Sequence, residues 1–382
     1  MTSSPSSSSR PGLPALAALL AIAAGCATAP PAPPLPDRGP IRRVVLLPFE
    51  NLSGTPVPVR DLLAPAERAL AARGLEVVSG EPVQQYLARH RIRSTGSVDG
   101  AGAAGARDEL GADGVVVTSV ETWRDSPAAQ FALTMRLVRA AEDAELLWID
   151  GYGRTGDDAP GLLALGLVSD VKVLEAEAFA RMADSMARHL ERKGPASPAC
   201  SRGLRFEPVF QYRSTTLSPQ KRYSVAVVPF LNRTRRRGAG ELAALAFVRQ
   251  LRASRTFTPV EPGQVRRVLL QQRIVLEGGV SLEAARLLLG VLDADLVLGG
   301  EVLEYEDSGP PRVNLTATVL DRGSGEVVWQ SLSHNRGDDW VFFFDVGRVS
   351  TALALGCSMV GNVVDGMSGD TPATESAFKA RR

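Results

Sequence analysis

Two acidic pairs, Asp157-Asp158 and Asp338-Asp339, and one glycine run, Gly100-Ala101-Gly102-Ala103-Ala104-Gly105, are the first residues whose spacing suggests chemistry. Paired carboxylates can hold a cation. A G-x-G-x-x-G run can open the helix that cradles a dinucleotide, with an acid about 20 residues further on for the ribose. Glu121 stands at about that distance. The surroundings do not fit either chemistry. His90–Asp99 is polar where a dinucleotide site needs a buried strand, and the matching region of the second half reads Leu282-Glu283-Ala284-Ala285. The acidic pairs lack a third ligand at calcium-loop spacing, and they precede the last helix of each half, where carboxylates favour a helix N-terminus. Only three histidines (His90, His189, His334) and three cysteines (Cys26, Cys200, Cys357) occur, with no G-x-S-x-G and no H-E-x-x-H. The expectation is therefore a protein that is not an enzyme, with no catalytic, cofactor-binding or metal-binding residues.

Lys+Arg 43 against Asp+Glu 42 gives a net charge of +1, which signals no cationic surface for nucleic acid. Arg235-Arg236-Arg237 is a local exception, a loop that is either solvated or turned toward lipid headgroups or an acidic partner. Trp340-Val341-Phe342-Phe343-Phe344 packs beneath the last helix or forms an interaction surface through Trp340, Phe342, Phe343 and Phe344, with packing the favoured reading. Cys200 and Cys357 make an even pair, open to a disulfide between the linker and the last helix or to a free buried thiol at Cys357.

The N-terminus gives the address. Arg10 precedes the apolar stretch Leu13–Ala24, which ends in Ala23-Ala24-Gly25-Cys26. That stretch is short for a membrane span, which needs about 20 residues, and suits a signal peptide. Small residues before a cysteine resemble a bacterial lipobox, although Ala23 stands where leucine is commonest. The resemblance implies cleavage before Cys26, lipidation of its thiol and acylation of its new amine. Ala27 in place of aspartate implies sorting to the outer membrane, facing the periplasm. Residues 26–40 carry the lipid and a proline-rich tether with a reach on the order of 40 Å.

Behind the tether the chain repeats itself. Pro48, Phe49 and Asn51 recur as Pro229, Phe230 and Asn232; Ala112-Asp113 recurs as Ala294-Asp295, and Trp148 as Trp329, at offsets of 181 to 182 residues. Such a spacing marks a domain duplication. In each copy an apolar strand ends near a proline and is followed by strand and helix signals in the order helix, strand, helix, helix, strand, strand, strand, helix. Phe131, Leu133, Met135 and Leu137 alternate strictly, as do Val313, Leu315, Ala317 and Val319, so one face of each sheet meets a core and the other meets water or a partner. The fold class is α/β: two tandem three-layer domains, each a mixed sheet flanked by helices. The organisation is a signal peptide (1–25), tether (26–40), first repeat (41–192), linker (193–222), second repeat (223–368) and tail (369–382). In the linker, Phe206, Val209, Phe210 and Tyr212 are too apolar for water and are expected to dock on a domain.

The element order, Pro-Phe-x-Asn and the Ala-Asp before the central strand resemble a group of periplasmic lipoproteins. It comprises the curli-secretion lipoproteins, the lipoprotein activators of penicillin-binding proteins, and TolB N-terminal-like domains. The resemblance covers most of 41–190 and 223–368. It implies a non-enzymatic adaptor or regulator in envelope assembly or secretion, with envelope protein partners and homo-oligomerisation as an open option. The alternative is a subunit of an oligomeric export channel. A barrel needs long lipid-facing hairpins, which the loops Arg124–Ala129 and Glu306–Pro311 are too short to supply.

Overall fold

The computed structural model describes residues 39–369 apart from 127, 159–165, 199, 201–203, 275–281, 308 and 342–346. The first repeat runs β1 (Arg43–Leu46), β2 (Glu50–Asn51), α1 (Leu63–Ala71), β3 (Glu76–Val78), α2 (Glu81–Arg89), α3 (Gly100–Leu110), β4 (Gly114–Arg124), β5 (Gln130–Arg139), β6 (Leu146–Thr155) and α4 (Val171–Leu190). A linker strand, β7 (Phe210–Arg213), comes next. The second repeat follows with β8 (Tyr223–Val227), β9 (Leu231–Asn232), α5 (Ala239–Ala253), β10 (Phe257–Pro259), α6 (Pro262–Gln271) and α7 (Leu282–Leu292). It closes with β11 (Leu296–Glu306), β12 (Arg312–Asp321), β13 (Val327–Arg336) and α8 (Ala352–Ser368).

The two sheets share one plan. The first has the order β3-β1-β4-β5-β6 and the second β10-β8-β11-β12-β13-β7, with short β2 and β9 beside β4 and β11. The first three strands of each path are parallel and the rest antiparallel. β1 stops before Pro48, whose missing N–H breaks the ladder, and pairing resumes two residues later as β2, which the sequence reading lacked. The linker docks in part as anticipated: Phe206 is buried and Phe210–Arg213 joins the sheet as a sixth strand of the path, but Val209, Phe210 and Tyr212 stay exposed rather than leaving water, because strand pairing engages the backbone and not these side chains.

Recurring residues prove to be joints of the scaffold. Asn51 Oδ1 accepts the N–H of Ser53 at 2.9 Å and its Nδ2 donates to Thr55 O at 2.7 Å; Asn232 repeats both bonds with Thr234 and Arg236 at the same lengths. Asp113 Oδ2 accepts the N–H groups of Arg42 and Arg43 at 2.8 Å, and Asp295 Oδ2 accepts that of Ser224 at 2.9 Å, tying the first strand to the fourth in each copy. Trp148 and Trp329 are fully buried.

In the first repeat, α1 and α4 cover one face of the sheet with a core of Leu62, Leu70, Phe131, Phe179 and Met182. In the second, α6 and α7 cover β8 and β11 from one side, over Ala226, Val228 and Val297. A third cluster is continuous across both repeats: α2 and α3 pack on Val45 and Val115, while α5 and α8, through residues such as Val363, pack on Leu298 and Leu315 of their own repeat. The last pair also reaches β6 of the first repeat, which places the two repeats within one compact unit, Pro40–Arg382.

Candidate functional site

Two surfaces stand out once the repeats are superposed by number: the joint where α5 and α8 meet the first sheet, and the matching part of the second sheet on β12, β13 and β7, which among the described residues stays half-exposed beyond the strands that α6 and α7 cover.

The joint is built from charged side chains taken out of water. Arg249 Nη2 on α5 donates to Asp150 Oδ1 of β6 at 2.7 Å, and Asp150 Oδ2 accepts from Ser185 Oγ at 2.7 Å. Arg252 donates to the carbonyls of Leu146 and Leu147 at 3.0 and 3.2 Å. Arg236 donates to Asp307 and to Glu121 O, each at 2.6 Å, and also to Leu52 O. Arg136 of β5 is 3.6 Å from Glu261 at the start of α6, and both side chains are buried. Such pairs hold geometry more than they add stability, because desolvation cancels much of the attraction. Glu121 shows the cost: burial pushes its carboxyl up to about 7, against a hydrogen bond from Thr134 and the charges of Arg249 and Arg236. Burial likewise raises Glu261, opposed by Arg136.

Close approach needs glycine here. A Cβ on Gly151 would lie 3.0 Å from Arg249 Nη1 and 3.3 Å from Leu353 Cδ1, and one on Gly153 would lie 3.1 Å from Thr351 Oγ1. With those positions bare, α5 and α8 come close to β6.

In the second sheet the corresponding rungs are Tyr212–Gln330–Thr318–Gly299 and Phe210–Leu332–Thr316–Glu301, read across β7, β13, β12 and β11. Leu332 and His334 stand where Gly151 and Gly153 stand in the first. Val209, Phe210 and Tyr212 are exposed at 64%, 51% and 47%, while Arg213, on the opposite side of β7, donates to Met367 O of α8. The outer edge of β7 pairs with no strand among the described residues.

The structure places the other candidates as follows. Cys200 and Cys357 are joined in a disulfide with Cα atoms 5.8 Å apart, which ties the linker to α8. Trp340 is 57% exposed, against the favoured reading of packing; Phe342, Phe343, Phe344 and Cys26 lie outside the described residues. The acidic pairs do not lead into the last helices. Those begin at Val171 and Ala352, capped by Asp170 and Thr351. Asp158 instead accepts the N–H of Thr155, and Asp339 that of Arg336, closing equivalent turns after β6 and β13. Arg236 is not a surface charge but a member of the joint. His334 sits on β13 rather than in a loop. The glycine run opens α3 under an Asp99 cap, and its bare positions serve contact: Tyr86 Oη donates to Gly102 O at 2.6 Å, and a Cβ on Gly105 would lie 2.8 Å from that oxygen. Among the described residues no group of three or more His, Cys, Asp or Glu side chains could hold a metal ion, and no helix is long and apolar enough to cross a membrane.

No family model matches the chain, and a search of curated proteins finds no match. Solved structures do resemble it. The PelC dodecamer of Paraburkholderia phytofirmans is 20% identical over 42% of this chain and 95% of its own, with a TM-score of 0.29. Lipoprotein GNA1162 of Neisseria meningitidis is 14% identical over 38% and 99%, with a TM-score of 0.27. The LpoB C-terminal domain of Escherichia coli is 17% identical over 30% and 82%, with a TM-score of 0.23. Likenesses at this level assign no function.

Proposed function

We propose that this chain is a lipid-anchored periplasmic protein of the outer membrane, a non-enzymatic adaptor or regulator in envelope assembly or secretion. Cys26 carries the lipid, the proline-rich tether sets the reach, and the open face of the second sheet holds the partner. One observation carries the reading: the linker adds an edge strand whose Val209, Phe210 and Tyr212 stay half in solvent beside an unpaired strand edge. Exposed aromatic side chains on a free edge suit an extended protein segment, which gains main-chain hydrogen bonds and pockets at alternate residues.

The channel alternative requires many copies in a ring. On the second sheet Leu332 and His334 occupy the positions that Gly151 and Gly153 leave bare in the first, so a further copy stacked as α5 and α8 are would meet side chains there.

A photo-crosslinking residue at Phe210 or Tyr212, in cells making the full-length protein, tests the adaptor reading. A discrete envelope-protein adduct at these positions, absent from an equally exposed position on α4 such as Val173, is expected. Equal yields at all three would sink the assigned face. Single-particle mass of the lipidated protein in mild detergent separates the alternatives: a closed ring of many copies would favour the channel. Palmitate labelling, lost on Cys26→Ser, checks the anchor.

A further inference from the structure

The loop after α2 and the helix α6 enclose a cavity of about 400 Å³, so its walls come from both repeats. Arg91 and Arg93 reach it from the loop, Arg266 and Arg267 from the helix. Its floor is apolar, with Leu47, Leu87 and Ile92, and Leu270 stands exposed at its rim. Asp99 is the sole acidic lining residue, and one of its oxygens already accepts the N–H of Gly102 at 2.8 Å to cap α3.

These four arginines differ from those of the joint. Arg136, Arg236, Arg249 and Arg252 are each committed to an acceptor in the protein. Among the described residues the side chains of Arg91, Arg93, Arg266 and Arg267 make no hydrogen bond or ion pair, and the Nε of Arg267 is buried without a partner. Arg91, Arg93 and Arg266 are exposed and Arg267 half-buried, so the four charges stand at the mouth of an open cleft and together favour an anion there. The wall is closely built as well. A Cβ on Gly263 would lie 2.2 Å from Val98 O, so only glycine lets α6 approach the loop this closely.

We propose that the cavity binds a phosphate monoester bearing a short apolar tail. The guanidinium fork matches phosphate oxygens, a phosphate charge near −2 suits several arginines at once, and the floor removes the tail from water. At roughly 30 Å³ per water the space takes on the order of a dozen non-hydrogen atoms, about the size of hexyl phosphate. The head could belong to a free phosphate ester or to a phospholipid.

The test is calorimetric titration of the full-length protein in nanodiscs with three probes: hexyl phosphate, inorganic phosphate and hexanol. Hexyl phosphate should bind at least tenfold more tightly than inorganic phosphate, and hexanol should not bind. Arg266→Gln/Arg267→Gln should weaken hexyl phosphate at least tenfold with thermal unfolding unchanged, whereas Arg192→Gln, remote from the cavity, should leave it alone. Leu270→Ser should weaken hexyl phosphate about threefold and leave inorganic phosphate unaffected. Absence of hexyl phosphate binding at millimolar concentration, or equal losses in the Arg192 and Arg266/Arg267 variants, would overturn the proposal. Dihexanoyl phosphatidate, used below its micelle concentration, separates the sources. Binding as tight as that of hexyl phosphate identifies a lipid headgroup, and failure alongside hexyl phosphate binding identifies a soluble ester.

Discussion

The two sheets have the same strand order and the same turns, yet opposite exposure on one face. β5 is buried on both sides from Gln130 to Val138, whereas the equivalent β12 alternates buried and half-exposed residues throughout. The difference lies in the neighbours. The first sheet meets α5 and α8 of the second repeat through β6, whereas among the described residues Thr316, Thr318 and Leu332 of the second sheet stay half-exposed and Gln330 and His334 exposed. Arg136, Gly151 and Gly153 of the covered face correspond to Thr318, Leu332 and His334 of the open one.

Several measurements would sharpen or break this contrast. The largest effect belongs to Arg136→Met, which strands Glu261 without its partner. It should lose about 3–5 kcal/mol in urea unfolding, and Arg136→Met/Glu261→Met should recover most of it. Thr318→Val, its counterpart, should stay within about 0.5 kcal/mol. Equal losses would mean that the two faces are alike.

Cys357→Ala comes next. The disulfide spans a separation of 157 residues and staples α8 alone, since Ala176 stands at the matching position of α4. A loss of about 2–4 kcal/mol is expected, and the same loss on reducing the wild type. Thermal unfolding with and without reductant reads both.

Glu121 gives a dependence on pH. Its carboxyl titrates near 4.5 in an unfolded chain and at about 7 in the folded one, so the native state holds its proton longer. Stability from this group is then greatest below about pH 4.5 and falls by about 3 kcal/mol as pH rises through about 7. Glu121→Gln should flatten that slope, gaining on the wild type at pH 8 and not at pH 5. A slope unchanged by the substitution would place the titration elsewhere. The counterpart, exposed Leu303, contributes none.

The smallest effects test the close approach. Gly151→Ala should cost about 1–3 kcal/mol, because α5 must withdraw, while Leu332→Ala on the open face should cost less than about 1 kcal/mol. Parity in chemical denaturation would show that nothing presses on Gly151.

Much of this was legible beforehand. Period-two alternation in Phe131–Leu137 and Val313–Val319 named the core face of each sheet, and the repeated Pro-Phe-x-Asn and Ala-Asp located equivalent joints. Those are local signals, fixed by backbone stereochemistry and by hydrogen bonds within a few residues or one strand away. The acidic pairs were misplaced because an aspartate that closes a turn after a strand looks, in sequence, like one that begins a helix. Arg236 was misread because a loop arginine gives no sign of the carbonyls it will meet from the other repeat.

The sequence by itself determined the duplication, the order of elements, the inner face of each sheet, and the signal and lipobox pattern that argues for an anchor. Tertiary structure decided what lies on the outer faces. Whether Thr134 and Arg136 see helix or water, and whether four arginines gather at one cavity, depends on contacts between residues far apart in the chain, such as Arg249 with Asp150, 99 positions away, or Gly263 with Val98. Those contacts have no periodicity to announce them, because they form between surfaces rather than along a chain.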